Sequence, residues 1–333
     1  EIRGLRVKYL SADPSNPEDG QVWYNSTTGN LRVDGIALAA SWASGGSLGT
    51  ARRGMGSGNS GSTQTAAIVF GGGGNPYSNI GILTEEYDGT SWSEQNDMST
   101  FRYTIAGAGT QTAALGMGGY QFPAPNPRSR SQVEEYDGSS WTNATSLPQV
   151  RQTATGFGTQ TAAIITAGND RGPPTVNYAT TLSYDGNNWT VLSSPSNVNT
   201  PRSAASGTGT QTAGLMAGGN TNPHKQTEEW NGSSWTSVTS TTTEHANVGQ
   251  SSMGIQTSAL LAGGDSPLTT ACELYDGTNW TNTASLATAR YEPGSSGTST
   301  SGLIAGGYTA TANTAVTEEF TGASTQIKNL STS

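Results

Sequence analysis

Cysteine and charged residues are scarce in this sequence, and each scarcity excludes a class of protein. The single cysteine, Cys272, has no partner for an intramolecular disulfide and cannot build a cysteine-based metal cluster. Asp, Glu, Lys and Arg make up 12% of the 333 residues, against a usual share of about 25%. Because the net charge is −9, binding to nucleic acid or to an anionic membrane is disfavoured as the main role.

Long apolar runs and helical periodicity are also missing. No stretch reaches the ~20 residues that a membrane-spanning helix requires, and no secretory signal is visible, so we expect no membrane insertion. Small and uncharged polar residues, together with 45 glycines, fill the composition. Such a composition without internal order would indicate disorder. The tryptophans, however, recur at nearly regular spacing.

What the sequence does contain is a repeated motif. Residues 133–141 read Val-Glu-Glu-Tyr-Asp-Gly-Ser-Ser-Trp, with related copies at 84–92, 182–189, 227–235 and 272–280. A last copy, at 317–322, has no tryptophan after it, whereas Trp42 stands without a full motif before it. The tryptophans at 42, 92, 141, 189, 235 and 280 are 50, 49, 48, 46 and 45 residues apart. Repeats of this length must be interpreted before anything else.

Each unit contains four short segments that we interpret as strands. After Trp comes a polar segment, then an Arg and a second strand, a Gly-Thr-Gln-Thr turn, an Ala/Gly-rich strand ending in glycine, and the Glu-Glu-Tyr-Asp-Gly strand. Asp-Gly favours a tight hairpin because Gly adopts positive φ without steric cost. Four strands per 40–50 residues are typical of a propeller blade. The sequence therefore predicts an all-β fold, a six-bladed β-propeller over residues 37–333.

The two chain ends complement each other. The last copy lacks its final strand and residues 41–46 supply one, so we expect an N-terminal strand to close the ring. Residues 325–330 are the alternative for the same place. Residues 1–36 do not share the repeat, and residues 22–33 read as a β-hairpin around a Thr-Gly-Asn turn. We interpret residues 1–36 as an attachment segment.

The order of glycine pair, Tyr and Trp resembles the kelch repeat, although Gly-Thr-Gln-Thr and Asp-Gly depart from its usual pattern. The resemblance covers residues 37–333. Residues 20–29 (Gly-Gln-Val-Trp-Tyr-Asn-Ser-Thr-Thr-Gly), followed by the Gly-Thr-Gln-Thr-Ala-Ala repeats, are similar to tail-fibre or appendage proteins of marine tailed bacteriophages. That resemblance implies a virion component that touches the host surface or decorates the particle.

The loops divide the predicted propeller into two faces. In a four-stranded meander a-b-c-d, the a–b and c–d turns share one face, and they vary little between copies. The b–c loops share the opposite face and differ in every copy. Copy-specific loops on a scaffold are the usual place for binding residues. Aromatic rings stack on sugars, and Arg binds carboxylates of acidic glycans. We therefore predict a binding site formed by Tyr77, Tyr120, Phe122, Arg128, Arg130, Arg171, Tyr178, His224 and Tyr308.

A second constellation is formed by repeated Arg and Glu residues. We expect four pairs within units and a fifth that joins His245 to Glu273, whereas Arg151 has Leu182 in place of its Glu. The four are Arg52–Glu85, Arg102–Glu134, Arg202–Glu228 and Arg290–Glu318. Repetition at equivalent positions favours a structural role, because catalysis needs one asymmetric pocket.

No catalytic or metal-binding motif stands out. Two histidines are too few for a copper-radical oxidase on a kelch scaffold, and the box at residues 183–189 departs from the sialidase pattern. We predict no catalytic residues, no cofactor and no metal, with calcium at Asp170 or Asp265 as an open alternative.

The predicted role is non-catalytic recognition on a phage appendage at the virion surface. The expected partners are a host-surface glycan or protein receptor, other virion proteins through the N-terminal segment, and further copies of the chain. The alternatives are a decoration protein that binds only virion proteins, and a glycan depolymerase. The latter would need two carboxylates about 5–9.5 Å apart in one pocket.

Overall fold

The computed structural model describes residues 7–15, 21–59, 61–73, 79–121, 128–170, 172 and 174–329. The chain forms two compact units, residues 1–41 with 321–333 and residues 42–320. This division differs from the boundary expected after residue 36. The reason is the final strand, Ser324–Asn329, which pairs with Asn30–Leu38 and not with a blade. The alternative in which residues 325–330 close the sixth blade is therefore wrong.

The larger unit is a six-bladed β-propeller in which each blade is a four-stranded antiparallel sheet. Strands a to d of blade one are Gly56–Ser57, Ala67–Phe70, Thr84–Tyr87 and Trp92–Glu94. Those of blade two are Ala106–Thr110, Ala113–Met117, Val133–Tyr136 and Trp141–Ala144. Those of blade three are Thr155–Thr159, Ala162–Thr166, Thr181–Tyr184 and Trp189–Val191.

The remaining three blades follow the same order. Blade four contains Ser206–Thr210, Ala213–Ala217, Thr227–Trp230 and Trp235–Val238. Blade five contains Ser252–Ile255, Ser258–Ala262, Cys272–Tyr275 and Trp280–Asn282. Blade six contains Gly294–Gly297, Ser301–Ala305, Thr317–Thr321 and, as strand d, the N-terminal Ser41–Ser44. The predicted closure by an N-terminal strand is confirmed.

The strand order gives the propeller two distinct faces. We call the end that carries the a–b and c–d turns the turn face, and the end that carries the b–c loops and the d–a links between blades the loop face. A short 3₁₀ helix, Asn79–Ile82, lies in the b–c loop of blade one. Strand d of blade six begins at the turn face and strand c of the same blade ends there, so the chain enters and leaves the propeller on that face.

The smaller unit is a single four-stranded sheet. Its strands are Lys8–Leu10, Val22–Asn25, Asn30–Leu38 and Ser324–Asn329, with the first two parallel and the others antiparallel. The predicted hairpin is present, with Val22 opposite Val33. Asp13 binds the indole of Trp23 at 3.0 Å, the amide of Asn25 at 2.9 Å and the guanidinium of Arg32. One carboxylate thus anchors the segment that leads into the sheet.

The repeated tryptophans tie neighbouring blades together. Trp141 packs on Tyr136 of its own blade and on Phe70 of blade one, with ring centroids 5.1 and 4.7 Å apart. Its indole N–H donates to Thr84 Oγ1 of blade one at 2.8 Å. Where strand c of the preceding blade lacks this threonine, the indole donates to a backbone carbonyl. Trp189 reaches Thr145 and Trp42 reaches Ala284, both at 2.9 Å.

The glutamine of the Gly-Thr-Gln-Thr turn forms a second tie. Gln111 Nε2 donates to the carbonyls of Ala67 and Tyr87 in blade one, at 3.2 and 2.9 Å. The same clamp onto strands b and c of the preceding blade is made by Gln64, Gln160, Gln211 and Gln256. Blade six has Ser299 instead, which pairs with Ser258 at 2.7 Å. The turn is repeated because its glutamine bridges blades.

A third tie joins tyrosine and glutamate. Tyr136 donates its hydroxyl to Glu86 of blade one at 2.9 Å, and the pairs Tyr184–Glu135, Tyr275–Glu229 and Tyr87–Glu319 repeat the contact. In blades three and five the glutamate is replaced by Ser183 and Leu274. The next aromatic residue in each case lacks a hydroxyl, being Trp230 or Phe320. Donor and acceptor are therefore lost together.

One buried side chain reaches across the propeller axis. The inner strands pack so closely that a Cβ at Gly107 would lie 2.3 Å from the Ser57 carbonyl oxygen. Asn59 of blade one is fully buried. Its Nδ2 donates across the axis to the Gly207 carbonyl at 2.9 Å and to Gln250 Oε1 at 3.1 Å, in blades four and five. One amide thus joins blade one to blades four and five.

Candidate functional site

The repeated Arg and Glu residues form buried pairs at the loop face. All five expected pairs are present, including Arg102–Glu134 at 2.8 Å, Arg290–Glu318 at 2.5 Å and His245–Glu273 at 3.0 Å. In each pair the second carboxylate oxygen accepts the backbone N–H of the residue three before the Arg or His, at 2.7–2.8 Å. These donors are Gly49, Ser99, Asn199, Thr242 and Ala287. The carboxylates thus fix the d–a links, as a structural role requires.

Blade three departs from this arrangement in a matched way. Leu182 replaces the glutamate, and the residue three before Arg151 is Pro148, which has no N–H to donate. Arg151 is fully buried and donates to the carbonyls of Ala167 and Thr180 at 3.1 and 3.2 Å. Burial lowers the pKa of Arg151 to about 10, because none of the described residues supplies a carboxylate partner.

The residue that follows each repeated Arg or His varies between blades, and only blades two and six share the same residue type. It is Arg53 in blade one and a tyrosine, Tyr103 or Tyr291, in blades two and six. These three side chains meet near the axis together with Tyr308. The Arg53 guanidinium carbon lies 4.4 Å from the ring centroid of Tyr308, 5.3 Å from that of Tyr291 and 5.9 Å from that of Tyr103. We call these residues, with Glu292, the Arg53 cluster.

Hydrogen bonds hold the Arg53 cluster in place. Arg53 Nη1 donates to the Tyr291 hydroxyl at 2.5 Å, and Arg53 Nε lies 3.6 Å from Glu292 Oε2. The Tyr103 hydroxyl donates to the same Glu292 oxygen at 3.3 Å. Burial alone would lower the pKa of Arg53, but Glu292, Tyr103 and Tyr291 raise it above its usual value. The guanidinium therefore stays charged.

A ring of left-handed residues surrounds the axis beside the cluster. The residue two after each repeated Arg or His has φ between 48° and 62° in every blade: Gly54, Thr104, Thr153, Ala204, Asn247 and Glu292. Backbone hydrogen bonds run between neighbouring blades here, as from Thr153 N to Thr104 O at 3.1 Å and from Gly54 N to Glu292 O at 2.9 Å. Residues of the ring line a small depression with a cavity volume of about 20 Å³.

Three of the predicted binding residues lie together in blade two. Tyr120 is 4% exposed, and its ring packs edge-on against Tyr103 with centroids 6.3 Å apart. Arg128 is exposed and donates through Nη1 to the Tyr120 hydroxyl at 3.3 Å. Arg130 is half-buried and donates through Nε to Gln121 Oε1 at 2.8 Å. Tyr120 thus contacts the Arg53 cluster through Tyr103, and Arg128 is linked to it through the Tyr120 hydroxyl.

The other predicted residues are dispersed. Tyr308 is half-buried and belongs to the Arg53 cluster. Tyr178 lies in blade three, 5.3 Å from the Arg151 guanidinium carbon, and His224 lies in blade four, with Nδ1 2.9 Å from the Gly219 carbonyl oxygen. Their contacts are local. Tyr77, Phe122 and Arg171 lie outside the described residues.

Sequence reasoning missed Arg53, Tyr103, Tyr291 and Glu292. Only the b–c loops were treated as copy-specific, whereas these residues lie in the d–a links. A signal was available, because the position after the repeated Arg reads Arg, Tyr, Gln, Ser, Ala and Tyr through the six units. A variable position beside a repeated one on the loop face deserved the same interpretation as the variable loops.

The two aspartates considered for calcium have hydrogen-bond donors instead. Asp170 Oδ1 accepts the backbone N–H of Gly172 at 3.1 Å, and both oxygens of Asp265 accept from Asn247 Nδ2 at 2.9–3.0 Å. Within the described ranges, no three His, Cys, Asp or Glu side chains converge as metal ligands. The same ranges contain no helix of the length and apolarity needed to cross a membrane.

Comparison with known proteins supports the architecture. No family model matches the chain, and no curated protein matches its sequence significantly. Many solved chains are similar in fold, among them the structure of YjhT, with a TM-score of 0.65 and 13% identity. That match covers 84% of this chain and 99% of YjhT. At this identity the likeness shows the fold alone. The chain forms a six-bladed β-propeller, as the sequence predicts.

Proposed function

We propose that this chain is a non-catalytic recognition protein of a bacteriophage appendage, and that its loop face binds a host-surface glycan. The observation that carries the proposal is the convergence of Arg53, Tyr291 and Tyr308 from two blades at the axial end of the loop face. Convergent aromatic and polar groups beside a depression are typical of ligand sites. The placement on a virion appendage rests on the sequence resemblance.

The distribution of charge supports the loop face as the binding surface. The ten Lys and Arg residues between positions 42 and 320 all fall in d–a links or b–c loops. They are Arg52, Arg53, Arg102, Arg128, Arg130, Arg151, Arg171, Arg202, Lys225 and Arg290. The c–d turns carry Asp88, Asp137, Asp185 and Asp276 instead. Between positions 42 and 320 the cationic residues therefore all belong to segments of the loop face, and five of them are fully buried there.

The fate of the repeated carboxylates supports a non-catalytic role. One glutamate of each Glu-Glu pair is buried against Arg and a backbone N–H, and its neighbour accepts a tyrosine hydroxyl. Acid–base hydrolysis would need a carboxylate pair open to substrate. Such groups are here engaged in holding the blades.

The test is binding of the purified chain to surface polysaccharide from candidate marine host bacteria. We expect Arg128→Ala combined with Tyr308→Ala to weaken binding at least tenfold without changing the melting temperature. The matched control is Ser139→Ala with Ser140→Ala on the turn face, which should bind normally. Binding that survives the loop-face change but is lost in the control would contradict the orientation. Release of new reducing ends would contradict the non-catalytic role.

The N-terminal unit is proposed to attach the chain to other virion proteins. A chain that bound virion proteins alone, and no host polysaccharide, would instead be a decoration protein. The same purified chain can be tested for both by incubation with host polysaccharide and with virions that lack it. Retention on virions without glycan binding would favour decoration.

A further inference from the structure

The Arg53 cluster has a composition that selects among ligands. Its cation, Arg53, already occupies the space between the rings of Tyr103, Tyr291 and Tyr308. Aromatic rings arranged in this way attract cations. Because the protein's own guanidinium fills that place, a cationic ligand would meet both a blocked space and a like charge. The cluster therefore disfavours positively charged ligands.

Anionic ligands are disfavoured for a different reason. The carboxylate of Glu292 lies 3.6 Å from Arg53 Nε and is 8% exposed, so the pair has no net charge. A carboxylate or sulfate drawn to Arg53 would approach Glu292 at close range in a partly desolvated site. Attraction and repulsion of similar size then nearly cancel. Arg128 lies beyond Tyr120 and adds positive charge at the edge of the cluster only.

Hydrogen-bonding capacity remains for an uncharged ligand. Within the part of the chain that the structure describes, Arg53 Nη2 and the Tyr308 hydroxyl form no hydrogen bond with the protein. The rings of Tyr291 and Tyr308 are half-buried, with centroids 5.5 Å apart and an interplanar angle of 52°. A donor, a hydroxyl and two partly exposed ring faces suit a molecule that offers C–H faces and several hydroxyl groups together.

The adjoining depression is too small to hold a sugar itself. Glu292 belongs to both its wall and the cluster, and its cavity volume is about 20 Å³. That volume is far below the range of about 300–1,000 Å³ typical of ligand sites. A sugar bound at the cluster therefore lies on the partly exposed faces of Tyr291 and Tyr308, whose centroids, 5.5 Å apart, give room for one ring.

We infer that the Arg53 cluster is a subsite for a single neutral pyranose unit, and that it rejects the corresponding uronic acid. The inference rests on the proposed glycan-binding function and deepens it by naming the class of sugar. It differs from the expectation from sequence that arginines on this face bind acidic glycans, because Arg53 is paired with Glu292. Arg53 and Tyr308 supply the hydrogen bonds and Tyr291 the stacking surface.

The experiment uses matched pairs of hexasaccharides that differ only at C6. Neutral gluco-, galacto- and manno-hexasaccharides are compared with their uronate counterparts by calorimetric titration of the full chain. At least one neutral member should bind at least tenfold more tightly than its uronate partner. Arg53→Gln and Tyr308→Phe should each weaken that binding, whereas Ser139→Ala with Ser140→Ala, on the turn face, should not. Melting temperatures confirm folding, and Arg53→Lys, which keeps the charge but loses the fork, should give an intermediate affinity.

Glu292→Gln provides the sharpest readout. Removing its charge should shift the preference toward the uronate by at least tenfold, because Arg53 is then no longer neutralised. Tighter uronate binding by the unmodified chain would overturn the inference, as would neutral binding that survives Arg53→Gln. Uronate binding lost through Arg130→Gln would place the site elsewhere while leaving glycan recognition intact. Failure of both the hexasaccharides and host polysaccharide to bind would reject the proposed function itself.

Discussion

The interface between blades one and two and the interface between blades five and six use the same template with unequal ties. At the first, Gln111 clamps two carbonyls of blade one and Trp141 donates to Thr84. The Tyr136 hydroxyl adds a bond to Glu86. All three repeated ties are present, so this joint shows what the repeated residues are for.

At the interface between blades five and six, the same positions are occupied differently. Ser299 stands in place of the glutamine, and the Trp42 indole donates to the Ala284 carbonyl. The tyrosine–glutamate tie is absent, because Phe320 replaces the tyrosine in blade six and Leu274 replaces the glutamate in blade five. Ring stacking remains, with the centroids of Trp42 and Phe320 5.1 Å apart. This joint keeps the Ser299–Ser258 and Trp42–Ala284 hydrogen bonds but lacks the glutamine clamp and the tyrosine–glutamate bond. It belongs to the blade that the chain ends close.

The difference teaches that the repeated residues change in matched sets. A tyrosine hydroxyl disappears where its glutamate has disappeared, as at Phe320 and Leu274. Pro148 accompanies Leu182 in the same way. A buried polar group that loses its partner costs about 1–3 kcal/mol, so losing both partners is tolerated far better than losing one.

Removal of the closing strand should have the largest effect. Deleting residues 1–46 removes Ser41–Ser44 and leaves strand Thr317–Thr321 as an exposed sheet edge. We expect aggregation and a strongly lowered melting temperature, measured by size-exclusion chromatography and calorimetry. The control deletion, residues 1–39, disrupts the smaller unit equally but keeps the closing strand. Equal behaviour of the two truncations would show that the strand contributes little.

Truncation of a tryptophan should come next. Trp141→Ala removes the contacts with Phe70 and Tyr136 and the hydrogen bond to Thr84. Because Trp141 is partly exposed, we expect the free energy of unfolding to fall by about 3 kcal/mol, near the lower limit for such changes. Urea unfolding measures this fall. Trp42→Phe, which keeps the ring contact with Phe320 between blades five and six, should cost clearly less. A loss below 1 kcal/mol would mean that the ring is not a packing residue.

Exchange of the glutamine clamp between the two joints should have smaller and opposite effects. Ser299→Gln would supply a donor for the carbonyls of Ala259 and Tyr275, which hold the places of the clamped carbonyls in blade five. We expect a gain of about 1 kcal/mol, and a loss of similar size for Gln111→Ser. Both are measured by urea unfolding. If Ser299→Gln destabilises the protein, the interface between blades five and six has no room for the glutamine side chain.

The tyrosine–glutamate ties should weaken in alkali. Burial, with Glu319 next in effect, raises the pKa of Tyr87 to about 12, and burial also raises that of Tyr136. Tyrosine in an unfolded chain titrates near pH 10. The folded state therefore holds these protons more tightly, and its stability should be intact below pH 10 and fall as pH rises toward 12. Unfolding midpoints at pH 9 and 11 measure the fall, and Tyr136→Phe should reduce it.

Much of the architecture was accessible from sequence because the repeat is explicit. Six copies, a missing terminal tryptophan and an orphan Trp42 sufficed to predict the blade count and the closing strand. The Arg–Glu pairs followed from their equivalent positions in the repeated units. The position of Ser324–Asn329 was not accessible, because pairing with Asn30–Leu38 is set by tertiary contact and not by a repeat.

The candidate site was accessible only in part. Tyr308 and Tyr120 were found because they lie in loops of evident variability. Arg53 and Glu292 were hidden because they follow residues that repeat, and their meeting depends on ring geometry that joins blades one and six. The hydrogen bond of Asn59 across the axis likewise depends on packing across the ring.

The pairing of the two chain ends in blade six allows the order of the strands along the chain to be changed without changing the fold. In blade two, strands c and d are joined by the four residues between Tyr136 and Trp141. In blade six the corresponding residues, Phe320 and Trp42, stack at 5.1 Å but are joined by no turn. An Asp-Gly-Ser-Ser link from Phe320 to Trp42 would convert the propeller into a covalent circle. If that circle is opened at another c–d turn, the product is a circular permutant of the propeller that lacks the smaller unit. The smaller unit therefore takes the place of the c–d turn of blade six, and it can be exchanged there as a module.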